Sequence, residues 1–266
     1  MSYEAILFEK REHVAILTLN KPDRLNAIGA ALRKEVQACV SEVRGDDAVR
    51  VLIVTGAGRG FCSGADLSGL AGGPPPRGES QNERLDEDGW VGRWAKLFHE
   101  LDKPVIAAIN GIAAGAGMST ALAADVRIGS EHARFKTVFI ERSLSPDSGM
   151  SFFLPRIVGY ARAADLIFTS RTVAADEAYR LGLLDRLVRH DVLIEEAVKF
   201  ANEMTQWPPL ALRMSKRVLQ RNFEADLDEA LRYETTALGL ARSAKNDARE
   251  AFLAFSEKRK PNYTGT

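Results

Sequence analysis

Two segments rich in glycine and alanine carry the first chemical signal in this chain. One is Phe61-Cys62-Ser63-Gly64-Ala65-Asp66-Leu67, and the other is Ile109-Asn110-Gly111-Ile112-Ala113-Ala114-Gly115-Ala116-Gly117. Each follows an apolar run, Val51–Thr55 and Val105–Ile109. Each is expected to form a tight strand-to-helix turn whose small side chains leave backbone N–H groups uncovered. Two such donors, one per turn, can hold a single developing negative oxygen between them. That arrangement suits enolate or tetrahedral chemistry at a carbonyl. Histidine-based chemistry has less support, because His13, His99, His132 and His190 fall in no zinc or triad spacing. Cys39 and Cys62 fit no metal spacing either, and no metal is expected.

The elements that must position these turns read as mixed α/β. Ile6–Glu9 and Val14–Leu19 alternate apolar and polar residues around Glu12-His13, which predicts a hairpin. Leu32, Val36, Ala38, Val40 and Val43 place a partly apolar face on a helix over 30–43. The unbroken run Val51–Val54 implies a strand covered on both faces. Residues 71–89, rich in proline, glycine and charge, are expected to be a mobile surface loop. Helical spacing resumes over Trp90–Leu101, followed by a second buried strand, Val105–Ile109, and a helix of small residues, Gly117–Ala124. Short strands are predicted at 126–129, 133–135 and 184–188, and helices at 154–169 and 174–181. Everything from Asp191 onward reads helical: 191–205, 208–221, 226–241 and 245–258. This pattern gives a core over residues 1–200 and a helical segment over 201–266, whose apolar positions Leu227, Ala230, Leu231, Leu238 and Leu240 need a partner surface.

Composition removes several function classes. The chain has 266 residues, 45% apolar and 27% charged, which is enough for a sizeable core. Lysine plus arginine equals aspartate plus glutamate at 36 each, so bulk charge gives no reason to expect a nucleic-acid partner. No run of about 18 apolar residues predicts a membrane span, and no secretory signal is visible at Met1-Ser2-Tyr3-Glu4. With only two cysteines, a reducing cytoplasm is the expected compartment. Neither a dinucleotide fingerprint nor a Walker A pattern appears in the right context.

Several ordered strings then match one family. Asn20-Lys21-Pro22-Asp23-Arg24-Leu25-Asn26-Ala27, Phe61–Leu67, Lys103–Gly111, Leu154-Pro155-Arg156-Ile157-Val158-Gly159 and Phe255–Pro261 together resemble the enoyl-CoA hydratase/isomerase (crotonase) family over nearly the whole chain. The resemblance implies a crotonase-like spiral of ββα units with a helical C-terminal segment, a homotrimer or homohexamer, and an acyl-CoA substrate. No permanently bound cofactor is implied, since coenzyme A arrives on the substrate. The family's oxyanion-hole N–H groups fall on Ala65 and Ala116, the latter replacing the glycine of many members. Arg24 and Ala27 match the stretch that lines the CoA chain, and Asp66, Leu67 and Phe139 are expected among the CoA- or substrate-binding residues, with Asp66 also read as holding its turn. Lys258 matches a lysine that reaches a CoA phosphate, sometimes in a neighbouring subunit. A loop charge at Arg24 and a solvated helix face at Lys258 are the plain alternatives.

The chemistry implied by the resemblance is narrower than the family name. Typical hydratases split water with two glutamates, and those positions hold Ser119 and Phe139 here. A serine and a phenylalanine cannot jointly activate a water in that way. Asp147, in Ser143-Leu144-Ser145-Pro146-Asp147-Ser148-Gly149, lies where ring-opening epoxide-to-oxepin isomerases and some Δ3,Δ2-enoyl-CoA isomerases carry an acid. A dehalogenating branch also has an aspartate there, but its histidine position is Gly92. Asp147 is therefore the expected single acid/base of a double-bond shift. A helix N-cap is its alternative, since Pro-Asp-Ser-Gly before an apolar run is a helix-start signal. Phe139, Phe152 and Phe153 are expected to dry the pocket, and the 71–89 loop and following helix to shape it. Glu141 and Arg142 are expected to pair at a surface or interface. Hydratase, hydrolase or decarboxylase activity remains open, as does a non-catalytic CoA-ester-binding protein. RNA binding, known for some members, lacks interleaved aromatic and basic residues here.

Overall fold

The computed structural model describes residues 3–68 and 80–266. Residues 71–79 of the expected loop lie outside the described residues. Strands β1 (Ile6–Arg11) and β2 (Val14–Leu19) form the antiparallel hairpin, in register from Ile6 opposite Leu19 to Arg11 opposite Val14. Helix α1 (Ala30–Gly45) follows, then β3 (Val51–Gly56) and the short β4 (Gly60–Cys62). Helices α2 (Gln81–Arg84) and α3 (Gly89–His99) lead into β5 (Val105–Ile109), β6 (Ile112–Ala114) and α4 (Ala116–Leu122). Next come β7 (Val126–Ser130), β8 (Arg134–Lys136), α5 (Met150–Val158) and α6 (Tyr160–Thr169). The core closes with β9 (Val173–Ala174), α7 (Ala175–Leu181), β10 (Arg186–Val188) and α8 (Leu193–Thr205). Helices α9 (Pro209–Asn222), α10 (Leu227–Arg242) and α11 (Lys245–Glu257) complete the chain.

Each turn of the spiral sends a long strand to one sheet and a short strand to another. The first sheet has the order β1-β2-β3-β5-β7-β10 and the second β4-β6-β8-β9. From β2 to β10 the first sheet is parallel, and both of its faces are covered. Val51 and Ile53 pack with Ile106, Ala108 and Leu193 on the α8 side, while Leu52 and Val54 join the larger core that includes α1 and α3. This two-sided burial explains why β3 and β5 read as unbroken apolar runs.

Two expectations change. The glycine-rich turns do not follow the long strands directly, because β4 and β6 intervene, and no helix starts at Ala65–Ser68. The single helix expected over 154–169 is two. Gly159 breaks it with φ 83° and ψ 156°, a conformation that side chains disfavour. The helical segment is anchored to the core through α9: Lys216 Nζ meets Asp125 Oδ2 at 2.7 Å, and Arg213 and Arg217 meet Asp102 Oδ2 at 2.7 and 2.8 Å. Among the described residues, no helix is long and apolar enough to cross a membrane.

Candidate active site

The two turns meet each other, and glycine is what allows it. Gly64 has φ +95°, and a Cβ there would lie 2.8 Å from the Ala114 carbonyl oxygen and 3.4 Å from the Ala116 nitrogen. A Cβ on Gly117 would collide with the carbonyl of Cys62. The first turn is tied to the 24–28 segment by Ile28 N–H donating to Gly64 O at 2.7 Å and Asp66 N–H donating to Ile28 O at 3.2 Å. Those bonds skip the N–H of Ala65. Ala116 opens α4, so its N–H has no carbonyl one turn earlier. Among the described residues neither N–H meets an acceptor.

Both alanines line one cavity of about 60 Å³. Of the expected residues, Leu67, Phe139 and Asp147 line it too. Val138, Arg142 and Leu144 also line it, and the sequence reading did not place them there. Their signal was weak, because the walls from 138 to 147 contain little regular structure. A larger groove of about 530 Å³ between α1 and α3 carries Arg33, Arg93 and Lys96. There Arg93 pairs with Asp86, Lys96 with Asp88, and Arg33 stacks on Trp90.

Asp147 is not a cap. The N-cap of α5 is Gly149, without a side-chain hydrogen bond. Asp147 contributes only its backbone carbonyl, which accepts from Met150 N–H at 2.9 Å and from Ser119 Oγ at 3.4 Å. Ser148 and Gly149 both lie in the left-handed region, φ 51° and 80°, and this double reversal turns the chain at Asp147. Oδ1 of Asp147 is buried and has no hydrogen-bond partner among the described residues. Burial pushes its carboxyl above the usual carboxylate range. Ser148 acts more weakly in the opposite direction, and its hydroxyl makes no hydrogen bond among the described residues.

The other expected residues divide. Arg24 Nη1 reaches Asp66 Oδ2 and Ser68 Oγ, both at 3.1 Å, so the two expected substrate-binding charges are paired with each other. Asp66 also accepts from Ser68 N–H at 3.0 Å; the Ser68 bonds, then Arg24, hold its carboxyl low. Its part is to brace the turn. Ala27 sits between, its N–H donating to Arg24 O at 3.1 Å. Lys258 is exposed at the C-cap of α11 and does not line the cavity. Ser119 is buried at 1% exposure with its hydroxyl on the Asp147 carbonyl, and Phe139, at 4%, lines the cavity; neither side chain is an acid. Phe152 and Phe153 do not line the cavity: their rings pack on His99, at 6.1 and 5.3 Å between centroids. Glu141 pairs with Lys136 at 2.7 Å, not with Arg142. Helix α3 supports the site from behind, through Trp94 Nε1 donating to Thr120 Oγ1 at 2.7 Å, and none of its described residues lines the cavity. Cys62 is fully buried, which pushes its thiol up to about 12 and rules it out as a nucleophile at neutral pH.

Two asparagines shape the corner beneath the first turn. Asn26 Nδ2 reaches Ala57 O, Gly60 O and Phe61 O at 3.0, 2.8 and 3.2 Å, and its Oδ1 accepts from Lys21 N–H at 2.9 Å. Asn110 Nδ2 also reaches Gly60 O, at 3.1 Å. Asn26→Ala would take their side-chain donor from the buried Phe61 carbonyl and the half-buried Ala57 carbonyl and leave Gly60 O to Asn110, so a loss of about 1–3 kcal/mol in urea unfolding is expected. A loss below about 0.5 kcal/mol would show that the clamp is dispensable.

The sequence profile described as enoyl-CoA hydratase/isomerase matches residues 9–266. The chain is 35% identical over 264 residues to a crotonyl-CoA hydratase of Syntrophomonas wolfei, with 99% of each covered. It is 35% identical over 263 residues to a 1,2-epoxyphenylacetyl-CoA isomerase of Escherichia coli, covering 98% of this chain and 99% of that one. The crystal structure of an enoyl-CoA hydratase from Bacillus anthracis superposes with a TM-score of 0.90 at 33% identity, covering 99% of this chain and 100% of that one. With this spiral and this whole-length similarity, the chain belongs to the enoyl-CoA hydratase/isomerase family.

Proposed function

We propose that this enzyme shifts the double bond of an enoyl-CoA, with Asp147 as its single acid and base. The observation that carries the reading is a carboxylate whose buried Oδ1 has no hydrogen-bond partner among the described residues, sharing a small cavity with two N–H groups that meet no acceptor there. Asp147 takes a proton from C2 of a 3-enoyl thioester. The released electron pair forms the C1=C2 bond, and the thioester oxygen becomes an enolate between the N–H groups of Ala65 and Ala116. As the carbonyl reforms, the pair moves to C2=C3, and the former C3=C4 pair takes the proton back from Asp147 at C4. No bound water, second base or resident cofactor is consumed, and coenzyme A enters only as the substrate's carrier.

A mass-resolved assay with a 3-enoyl-CoA and, separately, a 2-enoyl-CoA tests this. Double-bond migration without mass change supports it. A second reading, hydration, is favoured by relatives that carry hydratase names at similar identity. Gain of one water by the 2-enoyl-CoA would establish that reading and replace the first. Turnover of neither, with CoA esters still bound, would leave a non-catalytic binder.

We further propose that Arg24 and Ala27 line the CoA chain and that Asp66, Leu67 and Phe139 bind the CoA ester. Segment 201–266 would cover the site and join copies of the chain into a trimer or hexamer, with Lys258 reaching a neighbour's CoA. Exposed Leu227, Leu231, Leu238 and Leu240 on α10, with Phe252 and Phe255 on α11, support this surface. Sedimentation equilibrium should give three or six times the chain mass, and a monomer at micromolar concentration would refute it. The unpaired, buried Cys39 and Cys62 fit a reducing cytoplasm.

A further inference from the structure

Arg142 lines the same cavity as Asp147, Ala65 and Ala116, yet the double-bond shift does not use it. It ends the 3-10 turn Ile140–Arg142. Among the described residues its guanidinium has neither an ion pair nor a hydrogen-bond partner. Neighbouring segments differ in this respect: Arg24 is held by Asp66 at 3.1 Å, Lys136 by Glu141 at 2.7 Å, and Arg156 by Glu224. No ion pair or hydrogen bond joins Arg142 to Asp147 among the described residues; its charge adds to the Lys136 and Ser170 contacts that hold the neighbouring Glu141 carboxyl low. Arg142, itself exposed, shares that cavity with the apolar side chains of Leu67, Val138, Phe139 and Leu144. An unpaired arginine fork beside apolar walls is built for a planar, bidentate anion.

Its place relative to the thioester decides which anion. The second turn lies between the first turn and the 138–147 wall. A Cβ on Gly64 would be 3.4 Å from Ala116 N, and one on Gly115 would be 3.0 Å from Val138 Cγ2. Arg24 and Ala27, proposed above to lie along the CoA chain, belong to the first-turn side, whereas Arg142 and Asp147 belong to the other wall. A thioester oxygen held at Ala65 and Ala116 therefore sends its acyl chain, not its CoA, along the wall that carries Arg142. A cavity of about 60 Å³ admits only a short chain before that guanidinium is reached.

We propose that Arg142 selects short acyl thioesters whose far end is a carboxylate, an inference that rests on the acyl-CoA reading of the site. The test is titration calorimetry with valeryl-CoA and glutaryl-CoA, which have equal chain length and no double bond to move. The wild-type protein should bind glutaryl-CoA about tenfold or more tightly, as a charge-assisted bidentate contact predicts. Arg142→Leu and Arg142→Gln should bring that ratio to within about twofold of unity, and Arg142→Lys should recover part of it. Equal wild-type affinities would overturn the inference while leaving the acyl-CoA reading intact. So would an unchanged ratio in Arg142→Leu with both esters weakened alike, which would assign the guanidinium to a CoA phosphate. Failure of the wild type to bind either ester or CoA itself would overturn the acyl-CoA reading and this inference with it.

Discussion

Asp147→Asn should lower kcat for a 3-enoyl-CoA by about 10²–10⁴-fold, the usual contribution of a positioned general base, and should leave binding of a saturated CoA ester in place. Asparagine has nearly the same shape but cannot accept the C2 proton. The pH profile gives a second reading of the same change. Burial raises the Asp147 carboxyl above its ordinary value of 3.8. The base must be ionised, so kcat/KM should fall as pH drops through that raised value, with its acid limb above the ordinary carboxylate range. Stability runs the other way. A carboxyl whose folded pKa exceeds its unfolded pKa binds more protons in the folded state, so its ionisation disfavours the fold as pH rises between the two values. Asp147→Asn removes that cost, and its melting temperature at neutral pH should equal or exceed the wild type's. Full turnover in the variant, or loss of fold together with loss of activity, would end the one-carboxylate mechanism or the test of it by this substitution, respectively. In the second case Asp147→Glu, which keeps the acid but displaces it, takes over: turnover undiminished by that displacement would count against a positioned base.

Ala116→Pro lowers kcat by about 10²–10³-fold, the cost of losing one oxyanion donor. Proline is tolerated at the first position of a helix, because its missing N–H had no intrahelical partner there, and Ala116 occupies that position in α4. Gly115 precedes it, so proline meets no Cβ on its neighbour. The substitution thus removes a hydrogen-bond donor with little demand on the fold. Its ring also enters the cavity, so the affinity of a saturated ester is measured alongside, and the oxyanion claim rests on the part of the loss that appears in kcat. Ala116→Gly keeps the donor and should lose far less. If Ala116→Pro turns over substrate as fast as the wild type, the second donor is elsewhere.

Local sequence was enough wherever burial imposes a short period. The unbroken apolar text of β3 and β5 reports a sheet covered on both faces, and the spacing of Leu32, Val36, Val40 and Val43 reports the one buried face of α1. The three-residue strands β4, β6 and β8 were harder to read as a set. So few residues have little preference of their own, and they become strands because the spiral stacks them on one another. Apolar periodicity also ran across Gly159, where backbone conformation ended the helix.

By itself the sequence determined the family strings, both glycine-rich turns, the absence of acids at Ser119 and Phe139, and the one aspartate that stood out. It left Asp147 divided between a cap and an acid, because Pro-Asp-Ser-Gly satisfies either role locally. Only the tertiary structure removed the cap, by placing Ser148 and Gly149 in the left-handed region and giving the N-cap to Gly149, and it put Asp147 in the lining of the cavity that Ala65 and Ala116 share, with Oδ1 buried. It also turned Phe152 and Phe153 onto His99, gave Glu141 to Lys136, and left Arg142 at the cavity. Propensity and patterning describe a residue's dealings with neighbours a few positions away. This site joins segments near 65, 116 and 147, and their meeting is set by sheet order and backbone reversals that no local window contains.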